Sequence, residues 1–126
     1  MLTPSCNRII YVVDDDQGIR DSLADLLEDE GYTVVTATNG FDALTKLRQN
    51  GEGRPCVILL DLMMPVMTGP QFYAEQQKDR DLATIPVVVI SADGNLAQKA
   101  KAFGGEFLQK PVKIDTVLDV VERHCA

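Results

Sequence analysis

Long apolar runs are missing from this 126-residue chain, and so is any excess of positive charge. Its apolar stretches last only a few residues, far short of the ~20 needed to span a bilayer. Twelve Lys and Arg stand against nineteen Asp and Glu, for a net charge of -7 and a pI near 4.5. A nucleic-acid-binding surface needs basic patches, and docking to an anionic membrane needs clustered Lys and Arg. The composition argues against both. Cysteine is scarce and odd in number: Cys6, Cys56 and Cys125 are scattered, with no CxxC pair and no His/Cys cluster to hold zinc. Cys56 heads an apolar stretch and reads as a small core residue. The first eight residues show no signal-peptide h-region, and the apolar stretch from Ile9 to Val13 stops at Asp14. No linker, repeat or low-complexity segment breaks the chain. The expectation is one cytoplasmic domain over residues 1–126, with one core.

What the chain does contain is organised around Val57-Ile58-Leu59-Leu60-Asp61-Leu62-Met63-Met64-Pro65. Four apolar residues run into one carboxylate, and Pro65 and Gly69 then break the backbone. Such a run is too short for a buried helix and suits a strand covered on both faces. The same strand-then-break pattern recurs. Strands are expected at Arg8 to Val13, Thr33 to Ala37, Cys56 to Leu60, Pro86 to Ile90 and Glu106 to Gln109. Helices are expected between them and after the last. The first runs from Asp16 or Gln17 to about Glu30, with Ile19, Leu23, Leu26 and Leu27 at helical spacing and Gly31 ending it. The second is capped by Asn39 and turns Ala43, Leu44 and Leu47 inward. The third runs from Pro70 to about Lys78, with a poor amphipathic pattern. The fourth runs from Asn95 to Phe103, stopped by Gly104-Gly105. The fifth runs from Ile114 to His124, with Ile114, Val117, Leu118 and Val121 inward. Alternation of this kind implies a parallel sheet with right-handed crossovers and helices on both faces.

The strand ends share one edge of such a sheet, where open α/β folds bind ligands. Asp14-Asp15, Asp61, Ser91 and Lys110 follow the first, third, fourth and fifth strands. Each alone has a plain explanation. An acidic cluster such as Asp14-Asp15-Asp16 suits a helix N-terminus, a lone Ser91 suits a solvated turn, and Lys110 suits a surface. Together they place three carboxylates, a hydroxyl and an ammonium in one cleft. Like-charged carboxylates repel, so something must keep them ionised. A hard divalent cation with oxygen ligands does this, Mg²⁺ typically taking one or two carboxylates and keeping several waters. The set suits attack by one carboxylate on phosphorus while a metal neutralises the phosphoryl oxygens.

These motifs resemble the receiver domain of two-component response regulators. The matching residues are Val12-Val13-Asp14-Asp15, Leu59 to Pro65 with Gly69, Val89-Ile90-Ser91-Ala92 and Lys110-Pro111, in order over essentially the whole chain. The resemblance implies a single-domain flavodoxin-like (βα)5 fold with strand order 2-1-3-4-5. It implies a phosphoacceptor rather than an enzyme: Asp61 takes a phosphoryl group from a phosphohistidine on a sensor histidine kinase or a histidine phosphotransfer protein. It implies Mg²⁺, or Mn²⁺ in its place, ligated by Asp15 and Asp61 directly, by Asp14 through water and by the backbone carbonyl of Met63. Lys110 takes the phosphate-pairing position, Ser91 the hydroxyl switch position and Phe107 the aromatic switch position. Met63 and Asp93 take positions that tune phosphoryl lifetime. The Lys110-Pro111 bond matches one that is cis in the family. The output face would be the fourth helix, fifth strand and fifth helix, read by an output protein or a second copy of the chain. Thr68, where the family commonly has Asp, is a departure that touches only loop detail.

Three rivals share part of this pattern. A haloacid-dehalogenase-type phosphatase uses Asp-x-Asp after its first strand, as in Asp14-x-Asp16, but needs more chain and no second buried Asp. An FMN module needs a hydroxyl- and Gly-rich phosphate loop where this chain puts three carboxylates. A receiver-like module acting by protein binding without phosphorylation has no need of the full acidic and lysine set.

Overall fold

The computed structural model describes residues 8–49, 53–92 and 94–125. Five strands, β1 (Ile9–Val13), β2 (Thr33–Ala37), β3 (Val57–Asp61), β4 (Val87–Ser91) and β5 (Phe107–Gln109), form one parallel sheet in the order β2-β1-β3-β4-β5. The helices between and after them are α1 (Gln17–Asp29), α2 (Gly40–Gln49), α3 (Gly69–Lys78), α4 (Leu96–Ala100, continued by a 3-10 turn to Phe103) and α5 (Ile114–Cys125). This is the expected (βα)5 flavodoxin-like fold.

Side chains alternate across a strand, and here the alternation splits the core in two. Ile10, Val12, Val57, Leu59, Val88, Ile90 and Leu108 face α1 and α5, meeting Leu23, Leu27, Val117 and Val121. Tyr11, Val13, Ile58, Leu60, Val87 and Val89 face the other way, meeting Ala43, Leu44, Leu47 and Phe72. Every residue of β3 and β4 is buried. That is why both read as near-continuous apolar runs.

Several boundaries differ from expectation by a residue. β3 starts at Val57 and ends on Asp61, and β4 starts at Val87 and ends on Ser91. The ladder extends that far because Asp61 pairs in register with Ile90, and Ser91 with Gln109. Both polar residues are therefore the last of their strands rather than the first beyond them. Asp16 caps α1, its carboxylate accepting from the Ile19 N–H, and Asn39 Oδ1 accepts from the Asp42 N–H at 2.8 Å as foreseen. Ile114 does not turn inward: it stands 57% exposed at the start of α5, whose buried face is Val117, Val120, Val121 and Cys125. Cys56 is half-buried, and its sulfur is bonded to that of Cys125 rather than resting as a free thiol. No described helix is long and apolar enough to cross a membrane.

Candidate functional site

The first turn of backbone after β1 sets the site. Asp14 is fully buried. Its N–H donates to the Ala37 carbonyl at 3.1 Å, and its carbonyl accepts from Arg20 Nη1 at 2.7 Å. Its Oδ1 accepts from the Asp16 N–H at 2.9 Å. Asp15, between them, is exposed. Asp61 is 3% exposed at the end of β3, and its Oδ1 accepts from the Met63 N–H at 3.3 Å. Among the described residues these three aspartates form one group whose carboxylate oxygens lie within 4.8 Å of one another.

Lys110 stands over this group from the end of β5. Its N–H donates to the Ser91 carbonyl at 2.9 Å, which ties it to β4. Its Nζ lies 3.0 Å from Asp14 Oδ2 and 3.6 Å from Asp61 Oδ1. Asp14 Oδ2, although buried, has the Lys110 ammonium as its ionic neighbour and no other partner among the described residues. Burial of the Asp61 carboxyl, followed by the nearby charge of Asp14, pushes its pKa up to about 6; Lys110 and the Met63 N–H pull the other way. For Lys110, burial opposes the charged form, but the hydrogen bond and charge of Asp14, and then those of Asp61, outweigh it. The ammonium is held above its ordinary value. Ser91 is buried. A cleft of about 590 Å³ is lined by Asp15, Asp16, Asp61, Met63, Ser91, Ala92 and Lys110. The fold thus brings Asp14, Asp15, Asp61, Met63, Ser91 and Lys110 to one place. Phe107 lies apart on β5, opposite Val89 and 38% exposed. Asp93 lies outside the described residues.

The loop after β3 is shaped by contacts that sequence reasoning quoted only as a motif. Gly69 donates its N–H to the Leu62 carbonyl at 3.1 Å, and a Cβ there would meet the Asp61 carbonyl at 2.7 Å and Leu62 Cα at 2.8 Å. Only glycine lets α3 begin this close to Asp61. Val66 sits at φ 69, bridged by a hydrogen bond from the Met67 N–H to the Pro65 carbonyl at 2.7 Å. A β-branched residue in that region is strained, and nothing in the sequence marked it. Thr68 accepts from the Gln71 N–H while the Gln71 side chain accepts from Thr68 N–H, a complete capping box. The departure at Thr68 is thus a helix cap. The Lys110-Pro111 bond is cis.

A buried Asp14 oxygen met only by the Lys110 ammonium, in a cluster where one oxygen each of Asp14, Asp15 and Asp61 lies within 4.8 Å of the others, fits a hard divalent cation. Comparison with known proteins agrees with this chemistry. A family profile described as "Response regulator receiver domain" matches residues 10–122. Protein PilG of Pseudomonas aeruginosa is 32% identical over 118 residues, covering 91% of this chain and 85% of PilG. The chemotaxis response regulator CheY4 of Vibrio cholerae superposes with a TM-score of 0.82 at 32% identity, over 93% of this chain and 98% of that one. The receiver domain of NtrX from Brucella abortus does so with a TM-score of 0.80 at 34% identity, over 92% and 97%. The chain belongs to the response regulator receiver family, phosphoaccepting signalling modules of two-component systems, and its Asp14, Asp15 and Asp61 cluster is the acidic centre that this function needs.

Proposed function

We propose that Asp61 is the phosphoacceptor, that the donor is a phosphohistidine on a sensor histidine kinase or phosphotransfer protein, and that residues 1–126 act as one receiver domain in the cytoplasm. The observation that carries this reading is the convergence of three carboxylates under one ammonium at the end of the central strand. Solved relatives include the receiver domain of the hybrid histidine kinase CckA, which supports that class of donor.

In the transfer, an Asp61 carboxylate oxygen forms the new bond to phosphorus as the bond from phosphorus to the donor imidazole breaks. The imidazole leaves with the electron pair and is protonated. Asp61 must be ionised to attack, and burial together with the Asp14 charge makes ionisation harder than for a free carboxyl. Mg²⁺, or Mn²⁺, would be held by Asp15 and Asp61, by the Met63 carbonyl and by Asp14 through water. When bound, it keeps Asp61 ionised and neutralises phosphoryl oxygens. Lys110 is drawn chiefly to Asp14 here, at 3.0 Å against 3.6 Å for Asp61. Charge compensation at Asp14 frees the ammonium to pair with a phosphoryl oxygen. Ser91 donates its hydroxyl to another. Met63, 73% exposed at the mouth of the cleft, hinders the attacking water and so lengthens the phosphorylated lifetime. Asp93 is assigned to the same step, orienting that water.

Incubation with acetyl phosphate and Mg²⁺ should add the mass of one phosphoryl group to the parent chain and none to Asp61→Asn. Full labelling of the Asn variant, read by intact mass, would remove Asp61 from the role.

A further inference from the structure

At the edge of the sheet opposite the carboxylates lies a second chemical feature that phosphoryl transfer does not use. Cys56, immediately before β3, and Cys125, the last residue of α5, are joined as a disulfide, with Cα atoms 5.4 Å apart and a sequence separation of 69. That separation lies within the range a disulfide spans without backbone movement. The two residues before Cys125 make a parallel attachment. Arg123 Nη1 lies 3.1 Å from Glu106 Oε2, and His124 Nε2 contacts Glu106 Oε1. Glu106 leads directly into β5, the strand that carries Phe107 and runs to Lys110. The last turn of α5 is therefore fastened to β3 by a covalent bond and to the head of β5 by ionic contacts.

We propose that Cys56 and Cys125 are a reversible redox pair. Oxidised, they clamp the last turn of α5 to the head of β3; reduced, they release that turn. Two observations favour a reversible bond over a permanent staple. Cys56 is half-buried whereas Cys125 is 4% exposed, so a small thiol or disulfide would approach the pair from the Cys56 side. The helix also has other attachments: Val117, Val120 and Val121 pack α5 into the core on that face of the sheet, and a reduced cysteine packs as a small apolar residue. Only the helix end, where local opening is least costly, is left to respond.

The oxidant is a low-molecular-weight disulfide and the reductant a thiol or dithiol. The Cys56 thiolate attacks the small disulfide, forming a mixed disulfide and expelling one thiolate. Cys125, as thiolate, then attacks the Cys56 sulfur and expels the second. Two electrons leave the protein, one S–S bond is exchanged for another, and the two protons lost by the cysteines go to the released thiolates. Reduction runs the same steps backward.

The test equilibrates the full chain in a series of oxidised-to-reduced glutathione ratios, followed by acid quench, denaturing alkylation and peptide mapping. The chain has three cysteines. The oxidising end should give one alkylated residue, Cys6, and a linked Cys56–Cys125 peptide. The reducing end should give three alkylated residues. Hydrogen exchange on the same samples should speed about tenfold in the last turn of α5 on reduction, while β1, β3 and β4 stay protected. Cys125→Ser and Cys56→Ser should exchange at the reduced rate in every buffer. Three alkylated cysteines throughout the series overturn the proposal. So do a linkage through Cys6, a bond that yields to reductant only once the chain unfolds, and α5 exchange that reduction leaves unchanged.

Discussion

Asp61 is placed where its ionised form is uncomfortable, and that discomfort is measurable. Burial and the Asp14 charge raise its pKa to about 6 in the folded chain, against roughly 3.9 for an unfolded Asp. A carboxyl with a raised folded pKa favours folding most below the unfolded value, and the contribution is lost as pH rises through about 6. In EDTA, the Asp61 contribution to stability should therefore rise as pH falls from 7.5 to 5. Asp61→Asn should flatten that dependence and, at pH 7.5, be more stable than the parent by about 3 kcal/mol at most. Millimolar Mg²⁺ should reverse the order, because a ligand that binds only the folded state stabilises it. Urea titrations at the two pH values decide it: an Asn variant no more stable than the parent in EDTA at pH 7.5 contradicts the electrostatic account. At this scale the sequence was most informative at the strand ends, because Asp14, Asp61, Ser91 and Lys110 each interrupt or follow an apolar run. It was silent on Val66, whose positive φ follows from how the loop must turn between β3 and α3. It was equally silent on the pairing of Cys56 with Cys125, since the partner of a cysteine 69 residues away is decided by the fold.

Among the elements, legibility followed burial. β3 and β4 are covered on both faces and announce themselves as unbroken Val, Ile and Leu. α3 was hard to read because its inner face is Phe72 and Gln76. A buried glutamine breaks the apolar period. It is tolerated because its Nε2 donates to the carbonyls of Leu82 and Ile85, at 2.8 Å and 3.1 Å, fastening the connection into β4. With so small an apolar face, α3 depends more than usual on its start. Thr68→Ala removes the acceptor for the Gln71 N–H and half of the capping box. The expected cost is about 1 kcal/mol, read as a lower urea midpoint at unchanged slope. The acetyl phosphate labelling of Asp61 should persist, because Thr68 lines no part of the cleft. A variant as stable as the parent would mean that packing, not the cap, holds the start of α3.

At the scale of the whole molecule, β4 and β5 run from the cleft to the strand position that carries Phe107. Ser91 pairs in register with Gln109, and Val89 with Phe107, so the hydroxyl at the cleft and the aromatic ring are two rungs apart on one ladder. Phosphorylation brings roughly 1.5 to 2 negative charges and new acceptor oxygens to Asp61. On the proposed reading, Lys110 would pair with one oxygen and the Ser91 hydroxyl would reorient to donate to another. Such a movement would vacate space beneath the loop after β4. Phe107, 38% exposed, is the large side chain on the neighbouring strand able to fill it. A swing inward would reshape the face of α4, β5 and α5, which an output partner or a second copy of the chain can read. The energy required is modest: a shift from 1:99 to 99:1 needs about 5.5 kcal/mol of differential stabilisation. Two charge-assisted hydrogen bonds at roughly 1.5 to 3 kcal/mol each come close to it. Ser91→Ala should therefore still accept phosphate yet shift the face less, because one of the two bonds is gone. Beryllium fluoride with Mg²⁺, as a mimic of the phosphorylated state, makes this visible by NMR. Shifts should spread from the loops around Asp61 to Phe107 and α4 in the parent, and fade at Phe107 in Ser91→Ala. Shifts confined to the Asp61 loops in the parent would show that the ring does not move and that the output face is reached by another route.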